Sequence, residues 1–209
     1  MPTGRLHILT DFHFQQRLSH AELAEAAIAG GADTIQFRQK TGPLRARLHE
    51  LERTLAVCRQ RGVPLLVDDH VDLALAAGAP GVHLGQDDLP IPLARRLLGP
   101  DAIVGATAST AEEAARAEAE GASYVGFGPV YATGSKANPQ AVRGLRGLAA
   151  ACQAVSLPVI AIAGMTPERV PEVLSAGAHG VAVMTAVTTA PDVAAATARF
   201  RAALDATLR

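Results

Sequence analysis

Aromatic residues make up only 3% of this 209-residue chain, so a core must be filled by aliphatic side chains and alanine. Cysteine is nearly absent too: Cys58 and Cys152 lie far apart, in segments that read as helices. Neither belongs to a Cys-x-x-Cys or metal-ligand pattern, so the sequence offers no disulfide framework and no thiolate zinc site, and both read as structural thiols of a reducing compartment. Positive charge is not in surplus, since 19 Lys and Arg face 20 Asp and Glu. A chain so balanced has no general field for a nucleic-acid backbone or a membrane surface, and any anion must be bound locally. No apolar run approaches the length of a membrane span. Met1-Pro2-Thr3-Gly4-Arg5 leads straight into a short apolar run with no signal-peptide core, and the expectation is a cytoplasmic protein.

What is present is an ordinary globular composition, 49% hydrophobic and 19% charged. Eight short apolar runs alternate with longer Ala-rich segments. The runs are Leu6 to Leu9, Thr34 to Phe37, Leu65 to Val67, Val82 to Leu84, Ile103 to Ala106, Tyr124 to Phe127, Val159 to Ile162 and Val181 to Met184. Apolar residues follow one another in most of them, as in strands buried on both faces. Ser19, Thr110 and Thr166 are expected helix N-caps, and Glu22 and Glu113 stand at capping-box spacing from the first two. A Gly-Ala pair recurs at Gly31, Gly78, Gly121 and Gly177, where glycine can stop a helix just before the next strand. Eight βα units without a linker predict an α/β fold, a single (β/α)8 TIM barrel over residues 1–209, its interior filled by branched aliphatics. An open doubly wound sheet is the alternative, but rarely needs eight such evenly spaced units.

In a barrel of this kind the carboxyl ends of the strands build the active site. Gln36, Arg38 and Lys40 stand at alternate positions at the end of the second run, so they can project to one side. Asp68 and Asp69 follow the third, and Gln86, Asp87 and Asp88 the fourth. Thr107 ends the fifth, Thr133, Ser135 and Lys136 follow the sixth, Gly164 the seventh, and Met184-Thr185 closes the eighth. Singly, Asp69 reads as a helix cap and Asp88 as a solvated loop acid. Together, on neighbouring strand ends, they read as a Mg2+ site, because that ion takes one or two carboxylates and completes its shell with water and substrate phosphate. Arg38, Lys40 and Lys136 bring three cations to the same rim, suited to a pyrophosphate whose charge grows as it leaves. Gly164, followed by the end of the eighth strand, suggests a second anion site. Two anion sites and a metal predict a reaction between two phosphorylated small molecules, and the residues alone do not identify them.

Five strings carry a family resemblance: Ile35-Gln36-Phe37-Arg38-Gln39-Lys40, Val67-Asp68-Asp69-His70-Val71-Asp72-Leu73-Ala74, Gly81-Val82-His83-Leu84-Gly85-Gln86-Asp87-Asp88, Val125-Gly126-Phe127-Gly128-Pro129-Val130-Tyr131, and Ala163-Gly164-Met165-Thr166-Pro167. In this order and spacing the chain resembles the thiamine phosphate synthase and thiazole tautomerase family along its whole length. The resemblance implies that Gln36, Arg38, Lys40 and Lys136 bind an aminopyrimidine pyrophosphate and that Asp69 and Asp88 hold Mg2+. It implies that Thr133, Ser135, Gly164 and Met184-Thr185 bind a thiazole phosphate, and that Arg38, Lys136 and Thr107 serve catalysis in a dissociative coupling. A homo-oligomer is compatible with it. Four positions depart from the family pattern: Asp68 where Asn usually contacts pyrophosphate, Thr107 for Ser, Ser109 for a frequent His, and Ala163 for Gly. The tautomerase branch is the first alternative, but it uses a His after the fifth strand, and Thr107-Ala108-Ser109-Thr110 has none. A non-catalytic thiazole phosphate-binding paralogue is the second, motivated by Asp68 and Ala163.

Overall fold

A computed structural model describes residues 3–134 and 141–207. Its elements run β1 (Leu6–Thr10), α1 (His20–Ala29), β2 (Thr34–Phe37), α2 (Leu44–Arg61), β3 (Leu65–Asp68), α3 (Val71–Ala77), β4 (Gly81–Leu84), α4 (Ile91–Leu98), β5 (Ile103–Ala108), α5 (Ala111–Ala119), β6 (Tyr124–Phe127), α6 (Gly144–Ala154), β7 (Val159–Ile162), a 3-10 turn (Pro167–Arg169), α7 (Val170–Ser175), β8 (Gly180–Val183), α8 (Thr185–Thr188) and α9 (Val193–Ala206). The eight strands are parallel and close in sequence order, with β1 paired to both β2 and β8: the expected (β/α)8 barrel. The fifth strand runs on to Ala108, which carries Thr107 within the sheet rather than at its end.

Alternation along each strand sorts the side chains. Ile8, Ile35, Val67, Val82, Val104, Val125, Ala161 and Val181 face the helices and join one continuous core with Leu23, Leu51, Leu55, Leu148 and Phe200. Fully burying a large aliphatic side chain stabilises by about 1.5–3 kcal/mol, so this outer layer holds the barrel closed. In α2 the buried residues Leu51, Thr54, Leu55 and Cys58 recur at helical spacing, and the helix stops where Gly62 turns left-handed at φ 67°. Gly31, Gly78, Gly121 and Gly177 likewise all have positive φ, as the recurrent Gly-Ala pair predicts.

The interior differs from expectation. Leu9, Leu66, Ile160 and Ala182 form only a small apolar cluster, and its largest member is an aromatic ring, Tyr124. Beside it stand the polar residues His7 and Gln36, 1% and 3% exposed. Composition counts aromatic rings but does not place them, and here one of only two tyrosines occupies the barrel floor. Glycine makes the room: a Cβ on Gly105 would collide with the Tyr124 ring, and one on Gly126 would meet His83 Cε1 at 2.8 Å.

Ser19 forms a complete capping box with Glu22. Thr110 caps α5 through Glu113 N–H, but the Glu113 carboxylate accepts from Ser109 instead of completing a box, and Thr166 makes no side-chain cap bond. Cys58 and Cys152 are free, and burial pushes their thiols up to about 12 and about 11, the behaviour of structural thiols. Among the described residues no helix is long and apolar enough to cross a membrane.

Candidate active site

A cavity of about 640 Å3 opens at the carboxyl ends of the strands. Gln36, Arg38, Lys40, Asp68, Asp69, Asp88, Thr107, Thr133, Gly164, Met184 and Thr185 all line it. Ser135 and Lys136 lie outside the described residues. Strand register explains the convergence, because Phe37 pairs with Val67 and Asp68 with His83, which brings the ends of β2, β3 and β4 to one level.

Arg38 leaves β2 with its N–H donated to the Thr10 carbonyl at 3.1 Å. Its guanidinium is ion-paired with Asp11, which is 3% exposed, and its Nε lies 3.7 Å from Asp68 Oδ2. Asp11 was not singled out from the sequence. It directly follows β1, so the strand-end rule that picked out the other site residues applies to it too, and it fixes the guanidinium that faces the cavity.

Three carboxyls line this wall of the cavity, Asp68, Asp69 and Asp88, and each has a different balance. Asp68 is buried at the end of β3 with Oδ1 unpartnered, and burial together with the Asp69 charge raises it to about 7 against the pull of Arg38 and Lys40. Burial also pushes Asp69 up, but its 2.6 Å pair with Lys40 Nζ and the Arg38 charge help to outweigh that and leave it lowered. Asp88 is raised by burial and by Asp69, although its Oδ2 accepts from Gly85 N–H at 2.6 Å. Each of the Asp69 and Asp88 carboxyls feels the other, and two like charges this near one another make a place where a cation is favoured.

The helix-cap reading of Asp69 fails. Residue His70 occupies the N-cap of α3 without a side-chain bond, and Asp69 itself is left-handed at φ 64°, its N–H donated to the His83 carbonyl at 2.9 Å. A non-glycine residue held there is strained, and Asp tolerates it better than most. The donor set is hard oxygen, two carboxylates on adjacent strand ends with a third behind them, which suits Mg2+. Among the described residues no cluster of three or more His, Cys, Asp and Glu side chains forms a metal cage, so any such ion must complete its shell from water or ligand.

On the far side of the cavity Ala163 and Gly164 both have positive φ, 82° and 64°. A Cβ on Gly164 would meet the Ala132 carbonyl and Tyr131 Cβ at 2.7 Å, so the close approach of the two loops requires glycine. Arg169 donates to the Gly164 carbonyl and lies over the Tyr131 ring at 4.2 Å, which buttresses the turn from behind. Thr133 and Thr185 stand half-buried on this wall. Ser109 does not reach the cavity: it is 6% exposed and bound to Glu113 and Arg143. The floor carries His83 and Tyr124, which sequence reasoning passed over. A histidine inside an aliphatic strand was their one legible signal, since buried polar groups need partners.

The family model described as thiamine monophosphate synthase matches residues 6–187. The thiamine-phosphate synthase of Salinibacter ruber is 61% identical over 206 residues, covering 99% of this chain and 91% of that protein. That of Chloroflexus aurantiacus is 44% identical over 203 residues, covering 97% and 94%. Among solved structures, a thiamine phosphate pyrophosphorylase from Pyrococcus furiosus superposes with a TM-score of 0.88 at 36% identity, covering 98% of this chain and 97% of that one. A 3-hexulose-6-phosphate synthase at 24% identity and a TM-score of 0.70 shares the fold alone.

Proposed function

Since the chain belongs to the thiamine monophosphate synthase family, a family of transferases, we propose that it couples an aminopyrimidine pyrophosphate to a thiazole phosphate, releasing pyrophosphate and thiamine phosphate. The observation that carries this reading is the two-sided cavity, with Arg38, Lys40 and the acid pair on one wall and the left-handed Ala163-Gly164 turn on the other.

Gln36 and Arg38 hold the pyrimidine pyrophosphate, with Lys40 beside them. Asp69 and Asp88 would hold Mg2+, which when bound neutralises charge on the pyrophosphate oxygens. The bond between the pyrimidine methylene carbon and the pyrophosphate oxygen breaks first, and its electron pair leaves with the pyrophosphate. Arg38 stabilises that growing charge because Asp11 fixes the guanidinium before the reaction begins. The resemblance adds Lys136 as a further cation and Ser135 as a phosphate ligand. Thr107 places a hydroxyl near the reacting carbon, while Thr133, Gly164, Met184 and Thr185 hold the thiazole phosphate so that its ring nitrogen supplies the lone pair for the new C–N bond. No proton transfer and no protein nucleophile are needed. The whole chain acts as one unit in the cytoplasm under this reading.

Incubation of the purified protein with both substrates and Mg2+ should give thiamine phosphate and pyrophosphate by mass detection, and Asp69→Ala and Asp88→Ala should each abolish the product while leaving the circular dichroism unchanged. Absence of product from the unaltered chain overturns the synthase reading. Near-normal turnover in either variant removes that residue from the metal site.

A further inference from the structure

The cavity floor is one connected hydrogen-bond chain whose direction is set at its far end, below the site. His7 does not line the cavity; it lies in β1 beneath it. Its Nε2 is 3.0 Å from the Gly4 carbonyl, its Nδ1 3.2 Å from Gln36 Nε2, and the same Gln36 nitrogen is 3.1 Å from Tyr124 Oη. Tyr124 Oη is 2.9 Å from His83 Nδ1, and His83 Nε2 is 2.9 Å from Thr107 Oγ1. Five side chains from five strands are thus in series.

A carbonyl can only accept, so the proton of neutral His7 is on Nε2 and Nδ1 is a lone pair. Burial keeps His7 neutral, pushing it down to about 4. Gln36 must therefore present N–H to His7. Were its carboxamide turned over, the amide oxygen would face the Nδ1 lone pair, and the only remedy, moving the His7 proton to Nδ1, would set the Nε2 lone pair against the Gly4 carbonyl. Gln36 gives its second N–H to Tyr124, so both amide hydrogens are spent on the barrel side. With His83 in its Nε2–H form the Tyr124 proton goes to His83 Nδ1 and His83 Nε2–H to the Thr107 oxygen, which leaves the Thr107 hydroxyl hydrogen for an acceptor in the cavity.

We propose that His7 is a positioning residue that locks the Gln36 carboxamide with its oxygen toward the cavity, so that the floor accepts a hydrogen bond from an amine-bearing heterocycle while Thr107 donates to an acceptor on the ligand. The identity of the heterocycle rests on the synthase reading; the polarity of the floor does not.

Two measurements test this. In the unaltered, ligand-free protein at neutral pH, nitrogen-15 spectra of the imidazoles should show His7 as the Nε2–H tautomer, and an Nδ1–H tautomer overturns the proposal outright. Calorimetry with a free aminopyrimidine and its oxo counterpart should then show the amine preferred by about tenfold or more, the consequence of leaving one buried polar group unpaired. His7→Phe keeps the ring volume and removes the lone pair. It should bring that preference close to unity while binding of thiazole phosphate is unchanged. Retention of the full preference by a folded His7→Phe, or its absence from the unaltered chain, overturns the proposal. An amine preference without formation of thiamine phosphate would support the positioning role and overturn the synthase reading alone.

Discussion

Asp68 shows how one side chain can be read in two ways. It departs from the family's Asn, and it is a buried carboxyl with one unpartnered oxygen beside a single arginine contact at 3.7 Å. Its folded value, about 7, lies above the ordinary 3.8 because burial and the Asp69 charge disfavour ionisation. The protonated form is therefore favoured by folding, and the stability it contributes is present below about pH 4 and is lost as pH rises through 7. Asp68→Asn removes the ionisation but keeps the shape. Without Mg2+ the variant should be more stable than the parent at pH 8, by a few kcal/mol, with the gap closing toward pH 4. Urea unfolding at the two pH values checks this; equal stability at pH 8 would mean that Arg38 compensates the charge in full. If the carboxylate serves the cation, the same variant should also need more Mg2+ for half-maximal turnover, whereas simple repulsion predicts tighter pyrophosphate binding and an unchanged Mg2+ curve.

At the level of elements, the junction between β5 and α5 separates structural from chemical roles. Glu113 accepts from both Ser109 N–H, at 2.6 Å, and Ser109 Oγ, at 3.0 Å, while its own N–H is capped by Thr110 at 3.2 Å. Arg143 reaches the same serine at 3.3 Å and so ties the start of α6 to this cap. Neither Ser109 nor Glu113 faces the cavity. Glu113→Ala should therefore cost about 1–2 kcal/mol in urea unfolding and leave the Michaelis constants where they are; a tenfold change in either constant would place this junction in the site. The same junction shows what the sequence makes legible. Strand order, the glycine stops and the Ser19 box follow from local spacing, which the chain carries residue by residue. The direction of the Glu113 carboxylate depends on a competition between two donors one residue apart, and spacing does not decide it. The cavity wall was legible because fold geometry sends every strand end to one rim. Gln36 and Thr107 were legible in the same way, but their connection through His7, Tyr124 and His83 was not, since those partners lie on strands distant in sequence: Gln36 meets Tyr124 88 positions away.

Across the whole molecule, burial of neutral histidine ties stability to pH. His20 opens α1 between the rings of Phe12 and Phe37, at centroid distances of 4.0 and 4.4 Å, with Nδ1 at 2.7 Å from Thr10 Oγ1 and a buried, unpartnered Nε2. Thr10 gives its own hydroxyl hydrogen to the Gln36 carbonyl at 3.3 Å, so the His20 proton is on Nδ1 and a second proton would have to enter at Nε2, where no acceptor waits. Burial lowers His20 from 6.5 to about 3 and His7 from 6.5 to about 4. Both values fall below the unfolded one, so the unfolded chain binds the extra protons. The stability held above pH 6.5 is lost as pH falls toward 4 and then 3, by several kcal/mol in all. In the window from pH 6 to pH 4 each histidine adds a slope of about 1.4 kcal/mol per pH unit. His20→Leu keeps an apolar side chain between the two rings and should remove one proton from that slope, so its unfolding free energy, plotted against pH, should fall less steeply than the parent's by about that amount. Carboxylates also titrate there, but they are common to both proteins and cancel in the difference. Parallel curves would show that the His20 ring gains a proton as readily in the folded barrel as in the unfolded chain, and that the pocket between Phe12 and Phe37 admits a charge.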